Sequence, residues 1–244
     1  MGGAPALKAA RLVDAAEPVV VSGPAPRFVS RGGEKLEAAI ERFGLAVAGR
    51  RALDAGASTG GFTDCLLQRG AAQVVAVDVG YGQLHSRLSR DARVVTLDRT
   101  NVRYLHLSQT SGPPFDILVA DLAFISLRTV APVLAGELAA PGADVVALVK
   151  PQFEAPRAET SKGRGVIRSP DIWQRALEDV ATTFDDHRAA MMDAMVSPLK
   201  GAGGNVEFLL HLRPHSTGLP AAKSAGAEAI LRAAVEAATE RAEA

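Results

Sequence analysis

The sequence predicts an α/β protein built on a doubly wound, mostly parallel seven-stranded sheet. Three observations lead there. Short apolar runs alternate with stretches of helical periodicity along most of the chain. The runs are continuous rather than alternating, as parallel strands covered on both faces should be. A glycine-rich turn follows the first run and an acid closes the second. Open α/β sheets bind ligands at that carboxyl edge.

The elements follow in order. Residues 1–28 are rich in Ala, Pro, Val and Gly and contain one short β-like run, Val19-Val20-Val21. From Gly33 to Phe43, Leu36, Ile40 and Phe43 fall at helical spacing, and Gly44 suits the position just past the helix. Strands are predicted at Ala52–Ala55, Val74–Val79, Val94–Leu97, Phe115–Leu122 and Val145–Val149. Helices are predicted at Phe62–Gln68, Gln83–Leu88 and Leu127–Leu138. Residues 151–170, with Pro, Gly and basic side chains, read as a long loop, a feature that is usually functional or disordered. A helix follows at Trp173–Phe184. Two last strands, Met191–Val196 and Val206–Leu212, flank the turn Lys200–Gly204, and a terminal helix covers Lys223–Ala244.

Composition narrows the function. The 244 residues carry 27 basic and 27 acidic side chains, so contact with nucleic acid must use a local patch. One cysteine, Cys65, excludes an intrachain disulfide and suggests a reducing compartment. No apolar run approaches the roughly 18 residues of a membrane span, and no signal peptide is evident. A cytoplasmic location is expected.

The loop Asp54-Ala55-Gly56-Ala57-Ser58-Thr59-Gly60-Gly61-Phe62-Thr63 joins the first strand to its helix. Its glycines allow close backbone approach to a ligand, and the helix start offers free N–H donors. Asp78 follows 24 residues after Asp54 and can accept from both hydroxyls of a ribose. Dinucleotide binding is the rival reading. Its fingerprint needs glycine two positions after Gly56, where this chain has Ser58. The acid at the loop's start suits a cationic or amino-acid-bearing ligand better than a pyrophosphate. A tight turn with no ligand is the bland alternative.

Asp121 and Lys150 end the fourth and fifth strands and should sit on the rim above the cofactor. Charge at the end of a buried strand suggests either function or a structural ion pair. Lys35 on the first helix reads alone as a solvated lysine. Glu207 in the apolar run Val206–Leu210 needs a partner or must face solvent.

Several stretches together resemble the TlyA family, ribosomal RNA 2′-O-methyltransferases related to the FtsJ group. They are Ser30–Leu36, Asp54–Asp64, Val77–Leu84, Arg99-Thr100-Asn101, Phe124-Ile125-Ser126-Leu127, Val149–Glu154 and Gly204–Phe208. The resemblance runs from about Phe28 to Arg213. It implies a class I, Rossmann-like methyltransferase fold with S-adenosylmethionine as cofactor. It implies a catalytic tetrad of Lys35, Asp121, Lys150 and Glu207. Lys150 is then the general-base candidate, since burial and a second cation favour the neutral amine. Asp121 and Glu207 would orient the lysines and balance their charge. Gly56, Ser58, Thr59, Gly60, Gly61 and Phe62 would line the cofactor together with Asp54 and Val79. Asp78 would hold its ribose, and Asp98 would lie near its adenine unless it simply pairs with Arg99. No metal is required.

The resemblance also implies an N-terminal RNA-binding domain of the ribosomal-protein type. Residues 10–22 resemble its tail end, so 1–28 is expected to be a lead-in or remnant and 29–244 the methyltransferase domain. Ala123 stands where the family often has serine. Arg31, Lys162, Arg164, Arg168 and Lys200 cluster near the expected mouth and could hold phosphates, or could be ordinary loop charges. The expected substrate is ribosomal RNA or a ribosomal subunit. A stand-alone O-methyltransferase, or a reassigned cofactor-bound catalyst, acting on a small molecule is the alternative. A membrane-damaging role, suggested only by the haemolysin label of relatives, finds no spanning segment and no basic amphipathic helix.

Overall fold

A computed structural model describes residues 26–163, 165–214 and 226–243, together with Leu12, Asp14 and Ala16. Seven strands form one sheet in the order β3-β2-β1-β4-β5-β7-β6. The strands are β1 (Arg51–Ala55), β2 (Gln73–Val77), β3 (Val94–Leu97), β4 (Phe115–Ala120), β5 (Ala139–Val149), β6 (Ala189–Val196) and β7 (Phe208–Pro214). Pairing is parallel from β3 through β5, and β7 runs antiparallel to both β5 and β6.

Side-chain parity separates two cores. Leu53, Val75, Leu118, Ala147 and Leu210 face one side, against α4 (Leu127–Leu134), α7 (Pro170–Asp186) and α8 (Ala227–Glu243). Ala52, Val74, Ile117, Val146 and Leu209 face the other, against α1 (Gly32–Phe43) and α2 (Gly61–Gln68). Both parities of β1 and β4 are buried, which explains their unbroken apolar runs. Gly44 closes α1 in the left-handed region at φ 65°, its N–H bonded to the Glu41 carbonyl, as the sequence predicts.

Several predicted bounds shift. The helix expected over Gln83–Leu88 is only α3 (Ser86–Ser89), capped by the His85 ring. The predicted loop 151–170 contains two short helices, α5 (Pro151–Glu154) and α6 (Arg157–Lys162), and α7 begins at Pro170. Proline at the first helical position starts α5 and α7, a signal that apolar periodicity does not register. The helix from Leu127 stops at Leu134, and β5 starts at Ala139, well before the apolar run at Val145. Val19–Val21 and the first turn of the terminal helix lie outside the described residues. Phe28, at the boundary expected between the lead-in and the methyltransferase domain, is 3% exposed and packs beside Gly33 of α1.

The sheet's lower end is held by charge. Asp144 on β5 accepts from Arg50, His211 and Arg213, at 2.6, 2.9 and 2.7 Å. Burial would raise its carboxyl, but those three donors hold it well below the usual carboxylate range.

Leu118 lies in the central strand and is fully buried. Leu118→Ala should cost about 2–5 kcal/mol of folding free energy. Met192→Ala, at an exposed site on β6, should stay within about 0.5 kcal/mol. Urea denaturation of the two variants measures the contrast.

Candidate active site

Four parallel strands stop along one edge of the sheet. Each hands the chain directly to a residue of the site: β1 to Gly56, β2 to Asp78, β4 to Asp121 and β5 to Lys150. The strand order reverses between β1 and β4, which opens a crevice there. The backbone closes the edge tightly. Gly56 and Ala57 donate to the Val77 carbonyl, and Asp121 donates to the Ala55 carbonyl at 3.0 Å. A Cβ on Gly56 would fall 2.5 Å from the Asp121 carbonyl oxygen, so only glycine fits this crossing.

Two adjoining clefts open on this edge. The larger, of about 550 Å³, is lined by Gly56, Ser58, Asp78, Val79, Thr100–Val102 and Leu122–Ile125. Asp78 shapes one wall. Its carboxylate accepts the N–H of Ser58 at 2.8 Å and of Gly80 at 2.7 Å. The first bond holds Ser58 in the left-handed region at φ 48°. Beneath the loop, Asp54 is fully buried. One of its oxygens accepts the Thr63 hydroxyl at 2.6 Å, and the other has no partner among the described residues. Burial raises its carboxyl to about 7; the Thr63 bond opposes the rise, and the nearby Asp121 and Asp78 charges add to it.

The second cleft, of about 340 Å³, shares Gly56, Ser58, Asp121 and Ala123 with the first and adds Ser30, Lys35 and Lys150. Lys150 Nζ lies 2.5 Å from Asp121 Oδ1. Lys35 Nζ lies 2.5 Å from Glu207 Oε2, with both residues buried. Lys35 is therefore not the solvated lysine of its isolated reading, and the four residues expected to form a tetrad make two ion pairs. Glu207 sits one residue ahead of β7 rather than inside it; its carbonyl accepts the Ser197 N–H.

Most of the expected cofactor residues line these clefts, including Gly56, Ser58, Thr59, Gly61, Phe62, Asp78 and Val79. Three do not. Asp54 lies below the loop, Gly60 begins α2 at φ 96° without reaching either wall, and Asp98 binds the Gly82 N–H at 2.9 Å. Asp98 makes no ion pair with Arg99, whose guanidinium instead stacks on Tyr81. The cleft wall expected of Asp98 is built by Thr100, Asn101 and Val102. Their only sequence signal was the short stretch Arg99-Thr100-Asn101. Among the basic residues, Arg31 lines the smaller cleft, and Arg168 and Lys200 are exposed without ion pairs among the described residues. Arg164 and the Lys162 side chain lie outside the described residues.

The FtsJ-like methyltransferase family model matches residues 28–214. The chain belongs to that family. It is 50% identical over 212 residues to the 16S/23S rRNA (cytidine-2′-O)-methyltransferase TlyA of Mycobacterium tuberculosis, a match covering 86% of this chain and 78% of that protein. A hemolysin-named structure from Streptococcus thermophilus superposes with a TM-score of 0.82 at 38% identity, covering 91% of this chain and 80% of that one. An S-adenosylmethionine-dependent methyltransferase structure from Listeria monocytogenes shares the fold alone. Its TM-score is 0.57 at 11% identity, over 77% of this chain and all of that one. This FtsJ-like chain is thus a methyltransferase with the class I, Rossmann-like sheet. The haemolysin label travels with relatives; no helix among the described residues is long and apolar enough to cross a membrane.

The Asp54 carboxyl makes a pH prediction for this methyltransferase. Its folded-state pKa is raised from 3.8 to about 7. Between those values the folded protein keeps a proton that the unfolded chain has released. The stabilisation from this group is therefore full below about pH 4 and is lost as pH rises through about 7. Urea denaturation without added ligand, from pH 5 to 8, should show that decline in the wild type and a flatter profile in Asp54→Asn.

Proposed function

We propose that this methyltransferase uses S-adenosylmethionine to methylate a ribose 2′-hydroxyl of ribosomal RNA. The observation that carries the proposal is the pairing of Lys150 with Asp121 and of Lys35 with Glu207 beside the glycine loop. The chain's likeness to TlyA, whose name states cytidine-2′-O-methylation of rRNA, supports the same substrate.

The residues present fit the cofactor. The Gly56 crossing leaves the loop backbone free to approach a ligand, and the larger cleft is of the size that small cofactors occupy. Asp78 would accept from the ribose hydroxyls, and Val79, Val102 and Ile125 offer apolar contact for the adenine. Asp54 leaves one oxygen beneath the loop without a partner among the described residues, and a cationic amino-acid moiety bound above it would favour the ionised carboxylate. When bound, the cofactor supplies an electrophilic methyl group.

The chain's own residues then have distinct tasks. Lys150 is the general base, and its Nζ takes the 2′-hydroxyl proton as the oxygen attacks. Asp121 orients that amine and balances the charge it acquires. Lys35 with Glu207 sets the floor of the smaller cleft and keeps a second positive charge beside the reacting oxygen. In a direct displacement, alignment of the reacting atoms dominates, and rigid buried pairs supply it.

Phe124 favours RNA over a small molecule. Its ring is 92% exposed at the cleft mouth, 5.4 Å from Phe153, with its backbone in the left-handed region at φ 65°. A strained backbone holding an aromatic ring in water suits stacking on an unpaired nucleobase. Arg31, on the wall of the smaller cleft, offers a phosphate contact.

The test is methyl transfer from labelled cofactor to ribosomal subunits, with a metabolite pool in parallel. Wild type should label RNA on the ribose. Labelling of the metabolite pool alone would move the substrate to a small-molecule hydroxyl. Lys150→Ala should bind cofactor normally and lose about 10²–10⁴-fold in turnover. Lys150→Arg should fail as well, because a guanidinium stays protonated. Near-normal turnover of the Arg variant would make Lys150 an electrostatic anchor and place the base elsewhere.

A further inference from the structure

Two stretches singled out in the sequence have ends with no part in the chemistry above. One is Ser126-Leu127, after Phe124. The other is Glu154, which closes Lys150-Pro151-Gln152-Phe153-Glu154. The structure brings them together. Glu154 is 5% exposed. One carboxylate oxygen accepts the Leu127 N–H at 2.8 Å. The other accepts the Ser126 hydroxyl and lies 3.5 Å from the Arg128 guanidinium. Arg128 also donates to the Glu154 carbonyl at 3.1 Å.

Ser126 is the N-cap of α4, and its hydroxyl accepts the Arg128 N–H at 3.1 Å. Glu154 thus satisfies a second free N–H of the same helix start, and its charge suits the positive end of the helix. Burial raises its carboxyl, while the bonds from Ser126 and Leu127 oppose the rise. A buried carboxylate is costly unless its partners are built in. Here the partners come from the strand-β4 side of the site, and the carboxylate comes from the strand-β5 side.

Segments 121–127 and 150–154 therefore meet at three levels. Asp121 pairs with Lys150, Phe124 lies against Phe153, and Ser126 with Leu127 binds Glu154. Asp121, Lys150 and Phe124 line the clefts, whereas the Glu154 contact is buried. The α5 turn ties Glu154 to Lys150, with Phe153 donating to the Lys150 carbonyl at 2.8 Å.

We propose that Glu154 is a positioning residue: its buried carboxylate latches the loop bearing Asp121 and Phe124 onto the turn bearing Lys150, so that amine, carboxylate and ring keep one relative geometry. It touches neither cofactor nor substrate. The consequence for turnover rests on the RNA 2′-O-methylation reading; the latch itself does not.

The experiment uses the full chain and three variants. Glu154→Ala removes both acceptors. Glu154→Gln keeps an oxygen for the Leu127 N–H and offers an amide N–H to the Ser126 oxygen. Ser126→Ala removes the hydroxyl's bond to Glu154 together with the cap bond it accepts from the Arg128 N–H, keeps the Leu127–Glu154 bond, and should stay folded. In hydrogen exchange, amides of 122–127 should exchange about tenfold faster in Glu154→Ala, with 56–62 unchanged and Gln restoring protection. In methyl transfer, kcat should fall about tenfold to a hundredfold with KM for the cofactor within about twofold. Gln should recover most of that loss, and Ser126→Ala should shift both readouts in the same direction by less. If thermal melts show that the Ala variant does not fold, Ser126→Ala and Glu154→Gln decide the question.

Wild-type exchange in 122–127 on removing the carboxylate overturns the latch. So does a Gln variant as impaired as Ala, or a cofactor KM that rises as far as kcat falls. Absence of RNA methylation by the wild type would count against the substrate reading instead, and the exchange measurements would then decide the latch alone.

Discussion

The site depends on one close approach. Where β1 gives way to the glycine loop, the Asp121 carbonyl occupies the space that a side chain on Gly56 would fill. This contact brings the end of β4 against the loop after β1, at the point where the strand order reverses. It makes one continuous crevice of two clefts, one suited to a nucleoside and the other holding the lysines. A β-carbon here would separate them, because the opposing atom is backbone and belongs to the sheet edge. The hydrogen bonds from Gly56 and Ala57 to Val77, and from Asp121 to Ala55, then fix the edge from both sides.

Charge is divided along the sheet according to use. At the lower end Asp144 has three donors and is a satisfied structural cluster. At the upper end the buried acids are less settled. Asp54 keeps an oxygen without a partner among the described residues, and its carboxyl is raised to about 7. The Lys35–Glu207 pair is buried in a domain that apolar residues of similar volume could stabilise as well. Groups that cost stability and gather at one cleft are the usual sign that they serve chemistry. The same contrast separates Phe124, exposed on a left-handed backbone, from the aromatic rings of the core, Phe115, Phe184 and Phe208.

Much of this was legible beforehand, for local reasons. Unbroken apolar runs mark strands covered on both sides, and each of the seven strands overlaps its predicted run, although β5 begins at Ala139 instead of Val145. The glycine loop and Asp78 announce a nucleoside-type site, since turn chemistry and strand-end acids act over few residues. Other features were misread because their cause is not local. Lys35 alone reads as a surface lysine; only Glu207, 172 positions away, makes it a buried ion pair. Asp98, read as lying near the adenine, is on neither cleft wall and accepts the Gly82 N–H, a placement that its neighbours in the chain do not announce. The segment after Lys150 reads as a loop because four- and six-residue helices are too short for periodicity to show.

By itself, then, the amino-acid sequence determined the sheet, the helical cover and the identity of the ionisable residues, because each of these follows from periodicity, propensity and composition over a few neighbouring positions. Tertiary structure decided the pairing: Lys150 with Asp121, Lys35 with Glu207, and Glu154 with the start of α4. It also decided that Asp54 supports the loop from below instead of lining it. The physical reason is that an ion pair or a desolvated carboxylate is a property of distance and dielectric. Both are set only when remote segments are brought within a few ångströms and water is removed between them.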